Sequence, residues 1–383
     1  MSSSIVASAP GKVVLLGEYA VLNGAPALVM AVGRRAIATV RTTDRGCFSL
    51  DAPDLALRGR RLFLDEDGPR WDPPLDPSAA SALRVLNAVL EDIGRQVRDE
   101  LPVCAIETDT REFMSPVGSK LGLGASAAVA VATWAALRSL ADRHPPTPGT
   151  VLEAVSEIHR RAQDGVGSGV DVAAACLGGV LEYRLQRGEQ GLAPTCRPTV
   201  LPERLRIVAI HTGTAASTPQ LVGRVLALAR RDAGEYRDLM ECLAACARDG
   251  CTAVANGNVV GVLAAARTYG RLMAELGHAS GTDIVSAAHR RVRTLVERAG
   301  AVYKPSGAGS GDLGLAFTAD ELVAARVRVA AAAEGLLAMD LAPDPRGVEV
   351  ERSDPSSARV AEEASNSRPS AFDREKDSGE PTS

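Results

Sequence analysis

Lysine is nearly missing from this chain. Of 43 basic residues in 383, only four are lysine: Lys12, Lys120, Lys304 and Lys376. The rest are arginine, a bias of the kind that codon composition produces. A lysine that survives it marks a place that needs a compact ammonium rather than a planar guanidinium. Aromatic residues are also scarce, at 3%, and no basic tract is interleaved with them. That excludes a stacking platform for single strands, and the near-neutral charge balance argues against nucleic acid as a partner. No run of 18 apolar residues occurs, so the alanine- and valine-rich stretch 125–137 is too short to cross a bilayer. The N-terminus lacks a cationic segment followed by an apolar one, as a secretory signal needs. The seven cysteines form no C-x-x-C pair, and Cys242, Cys246 and Cys251 have no nearby histidine to complete a zinc set. These absences lead to the expectation of a cytoplasmic protein with free thiols and neither membrane nor nucleic acid as partner.

What is present builds a sizeable core. Apolar residues make up 46% of the chain, enough for two ordinary domains. The first 50 residues read as short strands, 5–9, 13–16, 27–32 and 36–42, with Pro10-Gly11 as a turn. A helix starts at Asp76-Pro77 and places Ala79, Ala80, Leu83, Leu86, Leu90 and Ile93 on one face. A strand at 101–108 leads to a glycine-rich loop and a small-residue helix. An amphipathic helix then carries Val151, Leu152, Val155, Ile158 and Ala162. The Pro- and Gly-containing stretch 186–204 reads as a domain boundary. Beyond it, strands at 206–211, 301–304 and 313–318 alternate with helices, the order of a ferredoxin-like α+β domain. Residues 343–383 hold ten acidic and six basic residues with many serines and prolines, and are expected to be disordered. That division gives an N-terminal domain over 1–195, a second over 196–342, and a tail over 343–383. The tail carries all of the chain's net charge of −4.

Three glycine-rich segments carry the chemistry. The first, Ala9-Pro10-Gly11-Lys12 running into Gly17-Glu18-Tyr19, is either a turn with an exposed lysine or a lysine that meets a ligand. In the second, Lys120-Leu121-Gly122-Leu123-Gly124-Ala125-Ser126-Ala127, glycines let successive N–H groups converge and the following helix adds its positive end. It is a phosphate cradle or a capped helix start. It is not a Walker A loop, because no Gly-Lys-Ser/Thr occurs. The Rossmann fingerprint fails for want of a strand leading into it. In the third, Lys304-Pro305-Ser306-Gly307-Ala308-Gly309-Ser310-Gly311-Asp312, small residues leave the backbone open to close approach. Between them, Gly167-Ser168-Gly169-Val170-Asp171 places an acid in a first helical turn or opposite a phosphoryl acceptor. Ser217-Thr218-Pro219 reads as a helix start, suited to an anionic substrate or serving simply as a cap.

Taken together and in this order, APGKVVLLGEYAVL, KLGLGASAAVAV, GSGVDVAAA and KPSGAGSGD closely resemble the motifs of the GHMP kinase superfamily, over about residues 5–341. Within it the phosphomevalonate kinases are matched best. Tyr19 stands where mevalonate kinases carry histidine, Lys120 precedes the phosphate loop, Asp312 ends the third motif, and 212–218 resembles the segment after the first strand of their second domain. Two departures are Ala125 for the first serine of the family loop and Ser310 for a glycine.

The resemblance implies an α+β GHMP kinase fold: an N-terminal ribosomal protein S5 domain 2-like α/β domain and a C-terminal ferredoxin-like domain. It implies transfer of the ATP γ-phosphoryl group to (R)-5-phosphomevalonate, a step of the mevalonate pathway of isoprenoid biosynthesis, with Mg2+. By that analogy Lys12 and Asp171 are catalytic. Lys120 and residues Gly122, Leu123, Gly124, Ala125, Ser126 and Ala127 hold ATP, with Ser126 a metal ligand. Ser168, Gly169, Ser217, Thr218, Lys304, Ser306, Gly307, Ala308, Gly309 and Asp312 meet the substrate. The metal-binding glutamate of mevalonate kinases has no motif here, Glu157 being near in sequence. Another small-molecule kinase of the superfamily and a non-catalytic sensor on the same fold are the alternatives, and a homodimer is compatible with the sequence.

Overall fold

The computed structural model describes residues 3–353 apart from 66, 166, 189–190 and 215–217. The chain begins with β1 (Ser4–Leu16), β2 (Ala27–Thr42), β3 (Phe48–Ala52), β4 (Leu57–Asp65) and β5 (Gly68–Asp72). Next come α1 (Pro77–Ala82), α2 (Arg84–Val97), β6 (Cys104–Asp109), α3 (Ala125–Asp142), α4 (Pro148–Ala162) and α5 (Val170–Leu177). A hairpin follows, β7 (Val180–Gly188) and β8 (Gly191–Thr199), then β9 (Arg206–His211). Four helices come next: α6 (Thr218–Arg231), α7 (Ala233–Ala255), α8 (Val259–Ser280) and α9 (Ala287–Ala299). The last elements are β10 (Val302–Pro305), β11 (Leu313–Thr318), α10 (Glu321–Ala333), β12 (Ala338–Asp340) and β13 (Glu349–Ser353).

Two sheets result. The first runs β13-β1-β2-β6-β3-β4-β5, with the β7–β8 hairpin joined to β2. The second runs β10-β11-β9-β12. Along β2 the side chains alternate between two sets. Leu28, Met30 and Val32 join the main core. Ala27, Val29 and Ala31 form a second cluster with Val170, Ala173 and Ala174 of α5. α3 is apolar nearly all round and buried accordingly, with Trp134 anchored by its Nε1–H to Asp92 Oδ2 at 2.9 Å. Its run of alanines lets it lie close to β1 and β2. No described helix is long and apolar enough to cross a membrane.

Three sequence expectations change. Pro10-Gly11 does not reverse the chain. β1 continues through it, with a register shift between Pro10 and Gly11 opposite Gly33-Arg34 of β2. A bulge absorbs the extra residues that were read as turns. The expected 195/196 boundary falls inside β8, which pairs along its length with β7, so its prolines sit on a strand of the first sheet.

The tail does not begin at 343. β13 pairs antiparallel with β1, from Ser4↔Ser353 to Ser8↔Glu349. Ahead of it, Asp344 is buried and accepts from Arg35 Nη1 at 2.9 Å, while Arg35 Nη2 donates to Gly347 O at 2.7 Å. Gly179 N donates to Asp344 O at 2.7 Å and Val348 N to Cys176 O at 3.1 Å, so this strap grips the end of α5. Backbone pairing at a sheet edge and the half-buried Arg35 hold it, which is why apolar content gave no sign of it. Residues 354–383, the rest of the expected tail, lie outside the described residues.

Candidate active site

The three glycine-rich segments meet at one cleft of about 360 Å³. β1 delivers Lys12. Its backbone N–H donates to Leu123 O at 2.7 Å, which ties the first segment to the second. The second segment turns twice through left-handed backbone, at Gly122 (φ +74°) and Gly124 (φ +81°). Both glycines are also required by contact. A Cβ on Gly124 would lie 3.1 Å from Lys12 Cγ, and one on Gly122 only 2.5 Å from Asp312 Cβ. Lysine, loop and third segment are thus packed with no room for a methyl group.

Three helices begin at the cleft. α3 starts after Gly124 and α5 after Gly169, and no side chain caps either one. Thr218, the first residue of α6, lines the same space. Helix N-termini carry partial positive charge, so three positive helix ends are turned to the cleft beside Lys12 and Lys120. Ser126 is exposed there, in the first turn of α3. Asp171, in the first turn of α5, has a side chain 22% exposed, and its Oδ1 accepts from Val172 N at 3.0 Å. Ser168 lines the cleft, its carbonyl held by the Tyr183 hydroxyl at 2.5 Å. Gly307, Ala308 and Asp312 complete the far wall.

The arrangement is braced by imidazoles and tyrosines. Gly213 N donates to His211 Nδ1 at 3.3 Å, so the ring proton sits on Nε2 and is donated to Lys120 O at 3.0 Å. His289 Nδ1 accepts from the Tyr303 hydroxyl at 2.7 Å, and its Nε2 donates to Gly311 O at 3.1 Å. Burial holds the His289 pKa down at about 4. Tyr19 occupies φ 63°, ψ −54°, a tight turn in which Ala20 N donates to Glu18 O at 2.7 Å. The Tyr19 hydroxyl donates to Ala308 O at 2.5 Å, clasping the first segment to the third.

Residues 80–179 match the family model described as GHMP kinases N terminal domain. The phosphomevalonate kinase of Streptomyces sp. strain CL190 is 29% identical over 346 residues, covering 82% of this chain and 90% of that one. The mevalonate kinase of Aeropyrum pernix is 33% identical over 223 residues, covering 58% of this chain and 62% of that enzyme. Among solved structures, Streptococcus pneumoniae phosphomevalonate kinase in complex with phosphomevalonate and AMPPNP superposes with a TM-score of 0.70. It is 18% identical and covers 91% of this chain and 99% of its own. L. major mevalonate kinase in complex with R-mevalonate gives a TM-score of 0.66 at 19% identity, over 89% of this chain and 96% of its own.

Residues 80–179 are a GHMP kinase N-terminal domain. The fold of the chain is the GHMP kinase fold.

Several residues of the chain stand differently from the sequence expectation. Lys304 does not reach the cleft. It is fully buried, with Nζ 2.5 Å from Glu18 Oε1 and 5.8 Å from the centre of the Tyr269 ring. Burial pushes the Glu18 carboxyl up and the Lys304 ammonium down, and their mutual attraction opposes both shifts. Ser306 is occupied too: its Oγ donates to Val14 O at 3.0 Å and accepts from Val14 N at 3.2 Å. Gly309 is buried against Ile284, whose carbonyl accepts from Ser310 N at 2.7 Å. Ala127 turns its methyl into the core, and Gly169 acts as the left-handed residue before α5. Ser217 lies outside the described residues. Ser310 adopts φ +67° where the family has glycine, a conformation that costs a side chain roughly 1–2 kcal/mol.

Two cleft residues, Glu18 and Gln163, and one buried behind the cleft, His159, were given no role by the sequence reading. His159 is a polar position on the otherwise apolar face of α4 and Gln163 follows four residues later at its C-terminal cap, and that pattern was the available signal. Glu157 points away, paired with Arg160 and, at 4.0 Å, with Arg161.

Proposed function

We propose that this chain transfers the γ-phosphoryl group of ATP to the phosphate of (R)-5-phosphomevalonate, giving ADP and (R)-5-diphosphomevalonate. The observation that carries the reading is the meeting of three uncapped or cleft-facing helix starts around Lys12. That cleft suits two polyanions brought end to end. The first is a nucleotide at the loop 122–126, the second a phosphorylated acceptor towards Thr218.

The acceptor phosphate is largely ionised near neutral pH, its second pKa being about 6. Its oxygen attacks the γ-phosphorus, the bond from the γ-phosphorus to the bridging oxygen breaks, and ADP leaves with that electron pair. No proton has to be removed first. The work of the protein is therefore positioning and charge neutralisation. Lys12 neutralises charge on the transferring group from beside the loop. Asp171 orients Lys12 and the acceptor from the opposite helix. Lys120, exposed at the rim, meets the outer phosphates.

A magnesium ion fits these residues. Ser126 and Asp171 present oxygen donors from two helix starts, the ligand type a hard cation takes, and two protein ligands suffice where phosphates and water fill the rest. Bound with the nucleotide, magnesium supplies neutralisation of the β- and γ-phosphates. Glu157 is too far turned to join it.

The test is a coupled ADP-release assay with 5-phosphomevalonate, mevalonate and homoserine offered separately, with the product identified by 31P NMR. Turnover with 5-phosphomevalonate and a diphosphate product is expected. Turnover confined to mevalonate or homoserine would assign a different kinase, and ATP binding with no acceptor turned over would make the chain a sensor.

A further inference from the structure

We propose that His159 is the positioning residue of the phosphoryl-transfer site, its Nε2 orienting the hydroxyl of Ser126 and its buried ring edge bounding the space open to the carboxylate of Asp171, across three helices. The inference rests on the kinase reading above and adds a residue that neither motif contains.

His159 sits on α4, on a face otherwise made of Val151, Val155, Ile158 and Ala162. It is 1% exposed. A buried imidazole needs partners for its polar atoms. Those at Nε2 belong to the cleft: Ser126 Oγ at 3.5 Å, Gln163 Nε2 at 3.3 Å and Asp171 Oδ2 at 4.0 Å. The Gln163 amide nitrogen is a donor and the Ser126 hydroxyl can act as one, so both can converge on the lone pair of one ring nitrogen. That arrangement is satisfied when Nε2 carries its lone pair and accepts. The consequence for Ser126 is directional. A hydroxyl that gives its proton to His159 turns its lone pairs to the cleft, the orientation in which it acts as an oxygen ligand.

Asp171 is held from two sides. Its Oδ1 is fixed by Val172 N, and Oδ2 lies against the imidazole edge. The ring limits the rotamers open to the carboxylate without a hydrogen bond of its own. Histidine suits the task better than its alternatives. A carboxylate here would stand about 4 Å from Asp171 and repel it. An aliphatic side chain would fill the space and leave the Ser126 hydroxyl free to rotate. Glutamine can bring an amide oxygen near the position of Nε2 and accept the same proton.

The experiment uses the full chain and three variants: His159→Leu, His159→Gln and Ser126→Ala, with the His159→Leu/Ser126→Ala double. Misplacement of a reacting group by about an ångström costs roughly a hundredfold in rate, and a loss of kcat on that order is expected for His159→Leu. KM for ATP and the melting temperature should stay near wild type. His159→Gln should restore kcat to within about tenfold. The double variant should be no slower than the slower single, because both changes remove one shared contact. Unchanged kcat in His159→Leu, equal losses in Leu and Gln, or additive losses in the double would overturn the proposal. A second measurement does not depend on turnover. The 15N resonance of His159 Nε2 should report an unprotonated, hydrogen-bonded nitrogen and shift in Ser126→Ala. An Nε2 signal indifferent to Ser126 would refute the contact even if no acceptor is ever phosphorylated, and a wild type inactive on every acceptor would refute only the kinase reading.

Discussion

Lys304→Met separates two accounts of the third glycine-rich segment. If Lys304 met substrate phosphate, its loss would raise KM and leave stability alone. The structure puts it in a closed site instead, with no exposure, 2.5 Å from a Glu18 oxygen. Removing one partner of a buried pair leaves a charge with neither water nor counter-ion, which costs about 3–5 kcal/mol. The Coulombic attraction is not what is lost in net terms, since desolvation of both ions offsets most of it. What is lost is the compensation of Glu18. The double variant Glu18→Gln/Lys304→Met should therefore recover much of the stability, because no ion remains to be stranded. Lys304→Arg is a second control: Gly270 packs so tightly on Lys304 that a Cβ there would lie 3.1 Å from Lys304 Cβ. The larger guanidinium overpacks the site by about 1–3 kcal/mol. Thermal and urea unfolding of the four proteins, with KM for each substrate alongside, is the assay. A drop in melting temperature on the order of 10 °C is expected for Lys304→Met. A melting temperature within a degree of wild type together with a tenfold rise in KM would refute the buried-pair account.

Three further outcomes follow from particular contacts. Lys12→Met should lower kcat by about 10²–10³, the cost of one lost donor to a developing charge, with little change in melting temperature, and near-normal turnover would remove Lys12 from the mechanism. The His289 imidazole stays neutral down to about pH 4 in the fold, whereas in the unfolded chain it takes its proton near 6.5. Its contribution is present above pH 6.5 and lost as pH falls to about 4, amounting to about 3 kcal/mol; urea titrations across this range should show a slope that His289→Gln lacks. Asp344→Ala takes one carboxylate from Arg35 but leaves Glu349 Oε2 at 3.2 Å and the strap carbonyl of Gly347, so it should cost about 1–3 kcal/mol, read by urea unfolding, where a loss under half a kcal/mol would mean the strap is held by its remaining contacts alone.

The sequence was most legible where a residue type is forced by backbone geometry. Gly122 and Gly124 could be read as a phosphate cradle because few other arrangements need two left-handed glycines before an alanine-rich helix. Asp171 in a first helical turn was readable for the same reason. Long-range contact was not. Nothing local distinguishes Lys12, which lies along a loop in the cleft, from Lys304, which lies under it. Both lie on an apolar strand with a proline and a glycine within three residues. His159 and Gln163 were hidden by the opposite effect: an amphipathic pattern invites attention to the apolar positions and passes over a polar residue between them. The strap 343–353 was missed because composition measures side chains, whereas β13 is held by main-chain pairing to β1 and by one arginine, Arg35, contributed from a distant strand.

The scarcity of lysine can now be given its physical content. Lysine was expected where a compact ammonium is needed, and phosphate was taken to be the reason at all three folded positions. For Lys12 and Lys120 the cleft fits that reason. For Lys304 the requirement is the same and its cause is different. Its ammonium makes a single short contact to Glu18 Oε1 with the Tyr269 ring 5.8 Å away, the contact of a point charge rather than of a planar fork. The two uses are linked through Glu18. It lines the cleft, accepts from Gly307 N at 3.3 Å, and lies beside Tyr19, whose hydroxyl holds Ala308. Lys304 thus serves the phosphates at one remove. By neutralising Glu18 it lets a carboxylate brace the third segment from beneath while the cleft above stays attractive to anions. The field its substrates meet draws on three helix starts and two lysines, which Asp171 and Asp312 in the same cleft already offset in part, and an uncompensated Glu18 would offset it further.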